Sequence, residues 1–183
     1  MTTTRKIAVF VGSIRKDSIN RKLATALMHL ARENLETEII KIDDLPVYNQ
    51  DLDQTPPESV ARLKSKIAAA DALLFVTPEH NRSIPTALKN ALDWASRPYG
   101  KNLWAGKPAS ICGASVGAVG TAVAQQHLRN ILSYLDVPTL GQPEVFIHFT
   151  EGLFDTNGGI TNDGTKQFLQ GFRYRTWIDT ILR

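Results

Sequence analysis

The chain has 183 residues, the usual size of one domain, so we expect a single domain over residues 1–183. With 43% hydrophobic and 21% charged residues, the composition is sufficient for a sizeable core and excludes a disordered or fibrous protein. Lys and Arg outnumber Asp and Glu by only 21 to 18, and this small excess by itself names no partner. Dedicated nucleic-acid binders usually gather their basic residues on one face or stretch, so we expect no nucleic-acid partner.

The single cysteine, Cys112, cannot form an internal disulfide or a paired-cysteine metal site, which fits a reducing compartment. The first six residues lead directly into a short apolar run that is too brief for a signal peptide, and no apolar span approaches the ~20 residues of a membrane helix. We therefore expect a cytoplasmic protein with no membrane partner.

Five apolar runs rich in β-branched and aromatic residues predict five strands. They lie at residues 7–11, 38–43, 72–77, 108–113 and 144–148. The first run, which stops at Gly12, is continuously apolar, as in a strand that is buried on both faces.

Segments with helical spacing of apolar residues alternate with these strands. The third predicted helix runs from Ile84 to about Ser96, with Pro85 as its first helical residue. The apolar residues of the first, second, fourth and fifth helices are, in turn, Leu23, Ala26, Leu27, Leu30 and Ala31; Val60, Leu63, Ile67 and Ala70; Val123, Leu128, Ile131, Leu132 and Leu135; and Phe168, Leu169, Phe172, Ile178 and Ile181. This alternation predicts a doubly wound α/β fold, a parallel sheet with helices on both faces. Ligands of such sheets bind at the carboxyl ends of the strands, here the loops at residues 12–20, 78–84 and 113–120.

The first of these loops reads Gly12-Ser-Ile-Arg-Lys-Asp-Ser-Ile-Asn20 and opens a helix. Hydroxyls, an amide and cations beside helix N-terminal N–H groups are suited to binding a phosphate. The spacing matches neither the triphosphate-loop motif nor the dinucleotide motif. The alternative is that Ser18 or Asn20 only caps the helix while Arg15 is solvated.

The second loop begins with Pro78, Glu79, His80, Asn81 and Arg82, and a second proline follows at position 85. Because proline restricts the backbone, such a loop can hold its N–H groups at fixed positions against the edge of a planar ring. The alternative is a polar loop whose side chains only face water.

The segments Gly12-Ser-x-Arg-x-x-Ser-x-Asn20 and Pro78-Glu-His-Asn-x-Ser-x-Pro-x-x-Leu-Lys-Asn-Ala-Leu-Asp-Trp94 together closely resemble the NADPH-dependent FMN reductase family, which includes quinone and chromate reductases. The resemblance runs from about Arg5 to Ile147. It implies a flavodoxin-like fold of strand order 2-1-3-4-5, with bound FMN and with NADPH or NADH as the electron donor. It also implies ping-pong hydride transfer to quinones or to related chromate, azo or nitro acceptors.

The resemblance assigns the cofactor contacts residue by residue. The phosphate would be held by Ser13, Arg15, Ser18, Ile19 and Asn20. The isoalloxazine ring would be lined by Pro78, Glu79, His80, Asn81 and Arg82. A further turn that contacts FMN would consist of Gly113, Ala114, Ser115 and Gly117. The sequence departs from the family where His80 and Arg82 replace aromatic residues. No catalytic side chain is implied, because the flavin carries the hydride chemistry.

A rival interpretation is a serine hydrolase, since Gly113-Ala-Ser-Val-Gly117 follows a predicted strand and precedes a helix. Ser115, Glu144 or Asp136, and His148 come in the order such a triad needs. Against it, Glu144 and His148 lie on one face of a single predicted strand. A second rival is a flavodoxin-like electron carrier, but such carriers are usually strongly acidic and this chain is not.

The remaining candidates are interpreted as structural. His29 and His127 are expected at the surface, without a second metal ligand nearby, and Cys112 is expected to act as a small buried hydrophobe. Trp94, Trp104 and Trp177 are candidate core residues, although Trp94 and Trp104 flank the exposed-loop region of residues 97–102 in the chain. In the family the segment after the third helix helps to form a dimer, so the resemblance implies a homodimer or homotetramer.

Overall fold

The computed structural model describes residues 4–31 and 34–172. Its strands are β1 (Arg5–Val11), β2 (Leu35–Ile39), β3 (Ala72–Val76), β4 (Ala109–Ser115) and β5 (Val145–His148). All pairs are parallel, and the order β2-β1-β3-β4-β5 confirms the predicted doubly wound sheet.

The helices are α1 (Ile19–His29), α2 (Glu58–Ala69), α3 (Thr86–Ala95), α4 (Ala122–Tyr134) and α5 (Asp163–Gly171), with a 3₁₀ turn at Gln50–Leu52. Helix α1 packs against β1, β3 and β4, and α2 packs against α3. Right-handed crossovers from a sheet of this order place α1 on the face opposite α2, α3 and α4. Ile178 and Ile181 of the predicted last helix, with Trp177, lie outside the described residues.

The centre of the core is an aromatic cluster on the inner strands. The Phe10 ring on β1 lies 5.3 Å from the Phe75 ring on β3 and 5.2 Å from the Trp104 ring. All three side chains are fully buried, and the Trp104 indole Nε1 donates to the Leu92 carbonyl at 3.0 Å. Within the described chain, no helix is both long and apolar enough to cross a bilayer.

The second strand is the largest error of the sequence-based prediction. Residues 35–39, not 38–43, pair with β1, in register from Arg5 opposite Leu35 to Val9 opposite Ile39. Ile40 and Ile42 are buried in the core, but they follow the strand. Because β2 is an edge strand whose residues are half-buried or exposed, its pairing has no apolar run to mark it.

Other element boundaries also differ from the prediction, among them the start of β1, which is at Arg5 rather than at residue 7. Strand β4 continues past Gly113 to Ser115, because its last four residues pair with β5. Helix α3 begins at Thr86, and Pro85 is its N-cap with extended backbone rather than its first helical residue.

Gly113 lies where three segments meet. A Cβ at this position would collide with the Thr121 side chain and the Thr77 carbonyl oxygen. A backbone hydrogen bond also joins the two segments beside this glycine, since the Thr77 N–H donates to the Cys112 carbonyl at 3.0 Å. A glycine is therefore required for β4 to lie this close to the loops after β3 and before α4.

We predict that Gly113→Ala lowers the free energy of unfolding by about 3 kcal/mol, because one obstruction is a backbone atom that cannot rotate away. The measurement is urea denaturation followed by circular dichroism. The matched control is Gly141→Ala, where a Cβ meets no atom within 4 Å and the change should stay within about 0.5 kcal/mol. Equal midpoints for the two variants would contradict the prediction.

Candidate functional site

The three loops at the carboxyl edge of the sheet are in direct contact. The backbone of Gly12, at the end of β1, lies so close to the second loop that a Cβ would be 2.9 Å from Pro85 Cγ and 3.2 Å from Pro78 Cδ. Gly113 makes the equally close approach between Thr77 and Thr121 described above. The loops therefore form one continuous surface.

The first loop presents unpaired donors to solvent. Within residues 4–31 and 34–172, the N–H groups of residues 13–17 find no protein acceptor. The exposed Arg15 has no ion-pair or hydrogen-bond partner among the described residues. The Ser18 hydroxyl caps α1 by accepting from the Arg21 N–H at 3.1 Å. The capping that the sequence left open as an alternative is thus present, beside a row of donors that can bind an anion.

Asn20 has a buried structural contact. Its Nδ2 donates to the Ala114 carbonyl, and its Oδ1 accepts from the Ala114 N–H, both at 2.9 Å. The side chain, in a residue only 1% exposed, therefore pairs with both backbone groups of a β4 residue. The structure assigns Asn20 the role of joining the first loop to the third.

The second loop is a tight two-residue turn. His80 and Ser83 exchange backbone hydrogen bonds at 2.9 Å, and the central residues Asn81 and Arg82 have φ of 50° and 66°. Positive φ at both central residues is the geometry of a type I′ turn. The side chains of His80, Asn81 and Arg82 are exposed at its tip.

Glu79 is largely buried, in contrast to the exposed tip of the turn, with a side chain that is 12% exposed. Its carboxylate accepts hydrogen bonds from the Val123 and Ala124 N–H groups at the start of α4. The sequence predicted that Glu79 lines the ring as part of this loop, and it did not reveal the contact with α4, which joins residues 44 and 45 positions apart.

The third loop is shorter than predicted. Gly113 and Ala114 are buried residues of β4, which leaves Ser115 and Gly117 partly or fully accessible. The loop also exposes two apolar side chains that sequence reasoning missed, Val116 and Val119. Together with the second loop, this surface can accept a flat, partly apolar group.

The hydrolase triad is not assembled. The Ser115 hydroxyl accepts from the Gly117 N–H at 3.0 Å, and His148 Nδ1 lies 3.4 Å from the Gly117 carbonyl oxygen. Glu144 instead accepts from the side chain of Gln126. Moreover, Ser115 ends a strand, and six residues separate it from α4, so it is not on the strand-to-helix turn of a hydrolase.

A groove of about 610 Å³ runs beside the first loop, between the outer side of α1 and residues 154–158. Its lining includes Lys16, Arg21 and Lys22, and also Asp17 and Asp155. The groove thus adds positive charge near the free donors of residues 13–17.

The other candidate residues have the expected environments. Cys112 is fully buried, and burial raises the pKa of its thiol well above the usual range. His29 is exposed, and His127 is exposed with Nδ1 3.2 Å from the Ser83 hydroxyl. Trp94 and Trp104 are both 0% exposed, so both are core residues.

The chain matches the family model for NADPH-dependent FMN reductase over residues 5–152. It is 51% identical over 175 residues to a 2-hydroxy-1,4-benzoquinone reductase of a Burkholderia species, covering 94% of this chain and 96% of that protein. It is 46% identical over 181 residues to a quinone reductase of Pseudomonas putida, with 97% of each chain covered.

Among solved structures, the fold is similar to that of FerB, a flavoenzyme NAD(P)H:(acceptor) oxidoreductase from Paracoccus denitrificans. The TM-score is 0.91 at 46% identity, and the match covers 97% of both chains. The sequence motifs, the sheet order and the length of these matches agree, and the chain therefore belongs to the NADPH-dependent FMN reductase family.

Proposed function

We propose that this FMN-dependent NAD(P)H oxidoreductase reduces quinones at the surface formed by the three loops. The observation that carries the proposal is the row of unpaired N–H groups at residues 13–17 beside Arg15, at the edge where a doubly wound sheet binds its ligand. The two relatives named as quinone reductases, each matched over almost its whole length, support the acceptor class.

The first loop fits the FMN phosphate. Free backbone donors and a guanidinium are the groups that bind a phosphate dianion most strongly. We assign direct contacts to Ser13, Arg15 and Ile19, and give Ser18 and Asn20 the task of holding the loop, because their side-chain oxygens accept from protein N–H groups.

The second and third loops fit the ring. Pro78 and the turn 80–83 form one side, where the exposed side chains of His80 and Arg82 stand at positions of which one or both are typically aromatic in the family. Ser115, Gly117 and the exposed Val116 form the other side. Gly113 and Ala114 support this surface from within β4.

When bound, FMN would supply the hydride chemistry between NAD(P)H and the quinone, and the chain would leave one face of the ring open to one substrate at a time. The residues need only hold the ring and place donors where negative charge develops. The exposed turn residues leave this face open, which suits planar acceptors of different sizes.

We predict that Arg15→Ala weakens FMN binding by about 10- to 150-fold, since charge-assisted hydrogen bonds contribute roughly 1.5–3 kcal/mol. Fluorescence titration of the apoprotein with FMN measures this. Arg62→Ala is the control, because that side chain lies on α2 and pairs with Asp44 instead. An unchanged affinity in Arg15→Ala would remove Arg15 from the phosphate site.

The function as a whole is tested by loading the protein with FMN under anaerobic conditions. NADPH should bleach the yellow spectrum, 1,4-benzoquinone should restore it, and initial rates should give the parallel double-reciprocal lines of ping-pong kinetics. A colourless protein that neither binds FMN nor oxidises NADPH would refute the proposal. Labelling of Ser115 by a fluorophosphonate would favour the hydrolase, and bleaching only by a protein partner would favour an electron carrier.

We also propose that the protein acts in the cytoplasm as a homodimer or homotetramer. The resemblance to the family supports assembly, and a single buried cysteine fits a reducing compartment. The surface we assign to the interface is formed by Val47 and Tyr99, which are 81% and 86% exposed. Val47 adjoins Pro46, whose carbonyl accepts from the Trp94 indole Nε1 at 2.7 Å, and Tyr99 lies in the segment that follows α3.

In analytical ultracentrifugation we expect the wild type to sediment as two or four chains and Tyr99→Ser to shift the distribution toward one. The control is Tyr134→Ser, a similarly exposed tyrosine at the end of α4. A wild type that sediments as a monomer would exclude the assembly, and an unchanged Tyr99→Ser distribution would exclude this interface.

A further inference from the structure

Helix α4 is capped by a residue from a different loop. Its N-cap residue, Thr121, makes no side-chain capping bond. Instead Glu79 Oε2 accepts from the N–H groups of Val123 and Ala124, each at 3.1 Å, and the Glu79 side chain is only 12% exposed. A carboxylate at this position satisfies two helix donors and interacts favourably with the positive end of the helix dipole.

The same helix contacts the other end of the turn. His127 lies one helical turn beyond Val123, and its Nδ1 is 3.2 Å from the Ser83 hydroxyl. Residues 79 and 83, which bracket the turn, are thus both attached to α4. Glu79 Oε1 is in addition 3.4 Å from Arg82 Nη1.

The turn between these attachments has a conformation that its residues do not favour. Arg82, with φ of 66°, is in the left-handed region, where a residue with a Cβ persists only if its surroundings hold it there. Asn at the first central position suits a type I′ turn, but the second position normally carries glycine. The contacts with α4 supply the missing restraint.

We infer that Glu79 is a positioning residue for the flavin: by capping α4 it sets where the backbone of turn 80–83 meets the ring. This inference rests on the proposed function, in which that turn forms one side of the ring site. Displacement of the turn would change how its peptide groups contact oxidised and reduced FMN. Both the affinity for FMN and the reduction potential should therefore depend on Glu79.

The experiment compares Glu79→Ala and Glu79→Gln with Glu58→Ala. Glu58 is the matched control, an exposed acid in the first turn of α2, so its removal changes the same charge at another helix start. In the apoprotein, we expect hydrogen exchange at the amides of residues 83, 123 and 124 to be about 10-fold faster in Glu79→Ala and unchanged in Glu58→Ala.

With FMN, we expect Glu79→Ala to bind the oxidised cofactor about 10-fold more weakly and to have a changed midpoint potential. A 10-fold difference between the effects on the two redox states corresponds to a shift of about 30 mV for a two-electron couple. Glu79→Gln retains an acceptor oxygen for the two N–H groups and should restore the affinity to within about 3-fold of wild type.

A Glu79→Ala protein with lower melting temperature but wild-type FMN affinity and potential would overturn the inference, leaving Glu79 as a helix cap only. If Glu79→Ala does not fold, His127→Ala tests the other attachment and should shift the same two quantities in the same direction; wild-type values there would also overturn it. A wild type that binds no FMN would refute the proposed function as well, so the two failures are distinguishable.

Discussion

The side-chain amide of Asn20 is the contact on which the geometry of the site most depends. It pairs with both the N–H and the carbonyl of Ala114, in a buried position, and so joins the start of α1 to the end of β4. Because unpaired buried amide groups cost about 1–3 kcal/mol each, neither partner can separate without a penalty. The first and third loops are therefore held at one distance, whatever ligand they bind.

The second loop is held between them by different chemistry. Gly12 lets the end of β1 approach the rings of Pro78 and Pro85, Gly113 lets β4 approach the Thr77 carbonyl, and Glu79 joins the turn to α4. The result is a site whose shape is set by buried contacts, while the groups that face a ligand are mostly backbone donors and exposed side chains such as Arg15. This division suits a cofactor that carries its own chemistry and needs a fixed orientation more than it needs acids and bases.

The accuracy of sequence-based prediction varied with the physical signal available. The fully buried β3 was predicted to within one residue, because burial on both faces requires a continuous apolar run. Strand β2 was misplaced because an edge strand pairs through backbone groups, while the neighbouring Ile40 and Ile42 are apolar for a different reason, burial beyond the strand end. The extension of β4 to Ser115 depends on pairing with β5, 30 or more residues away, which no local pattern reports.

By itself, the sequence determined the fold class and, through the two motifs, the family, and it located the three loops that we propose as the site. These follow from local periodicity, from the positions of loops after strands, and from residues close together in the chain. Only the tertiary structure decided which polar groups are already used: Asn20 by Ala114, Glu79 by the start of α4, and Ser115 by Gly117. Two of these bonds join residues far apart in the chain, and all three depend on side-chain orientation, neither of which local sequence patterns report. A donor or acceptor is available to a ligand only if the fold has not already paired it, and so the tertiary structure decides which groups remain.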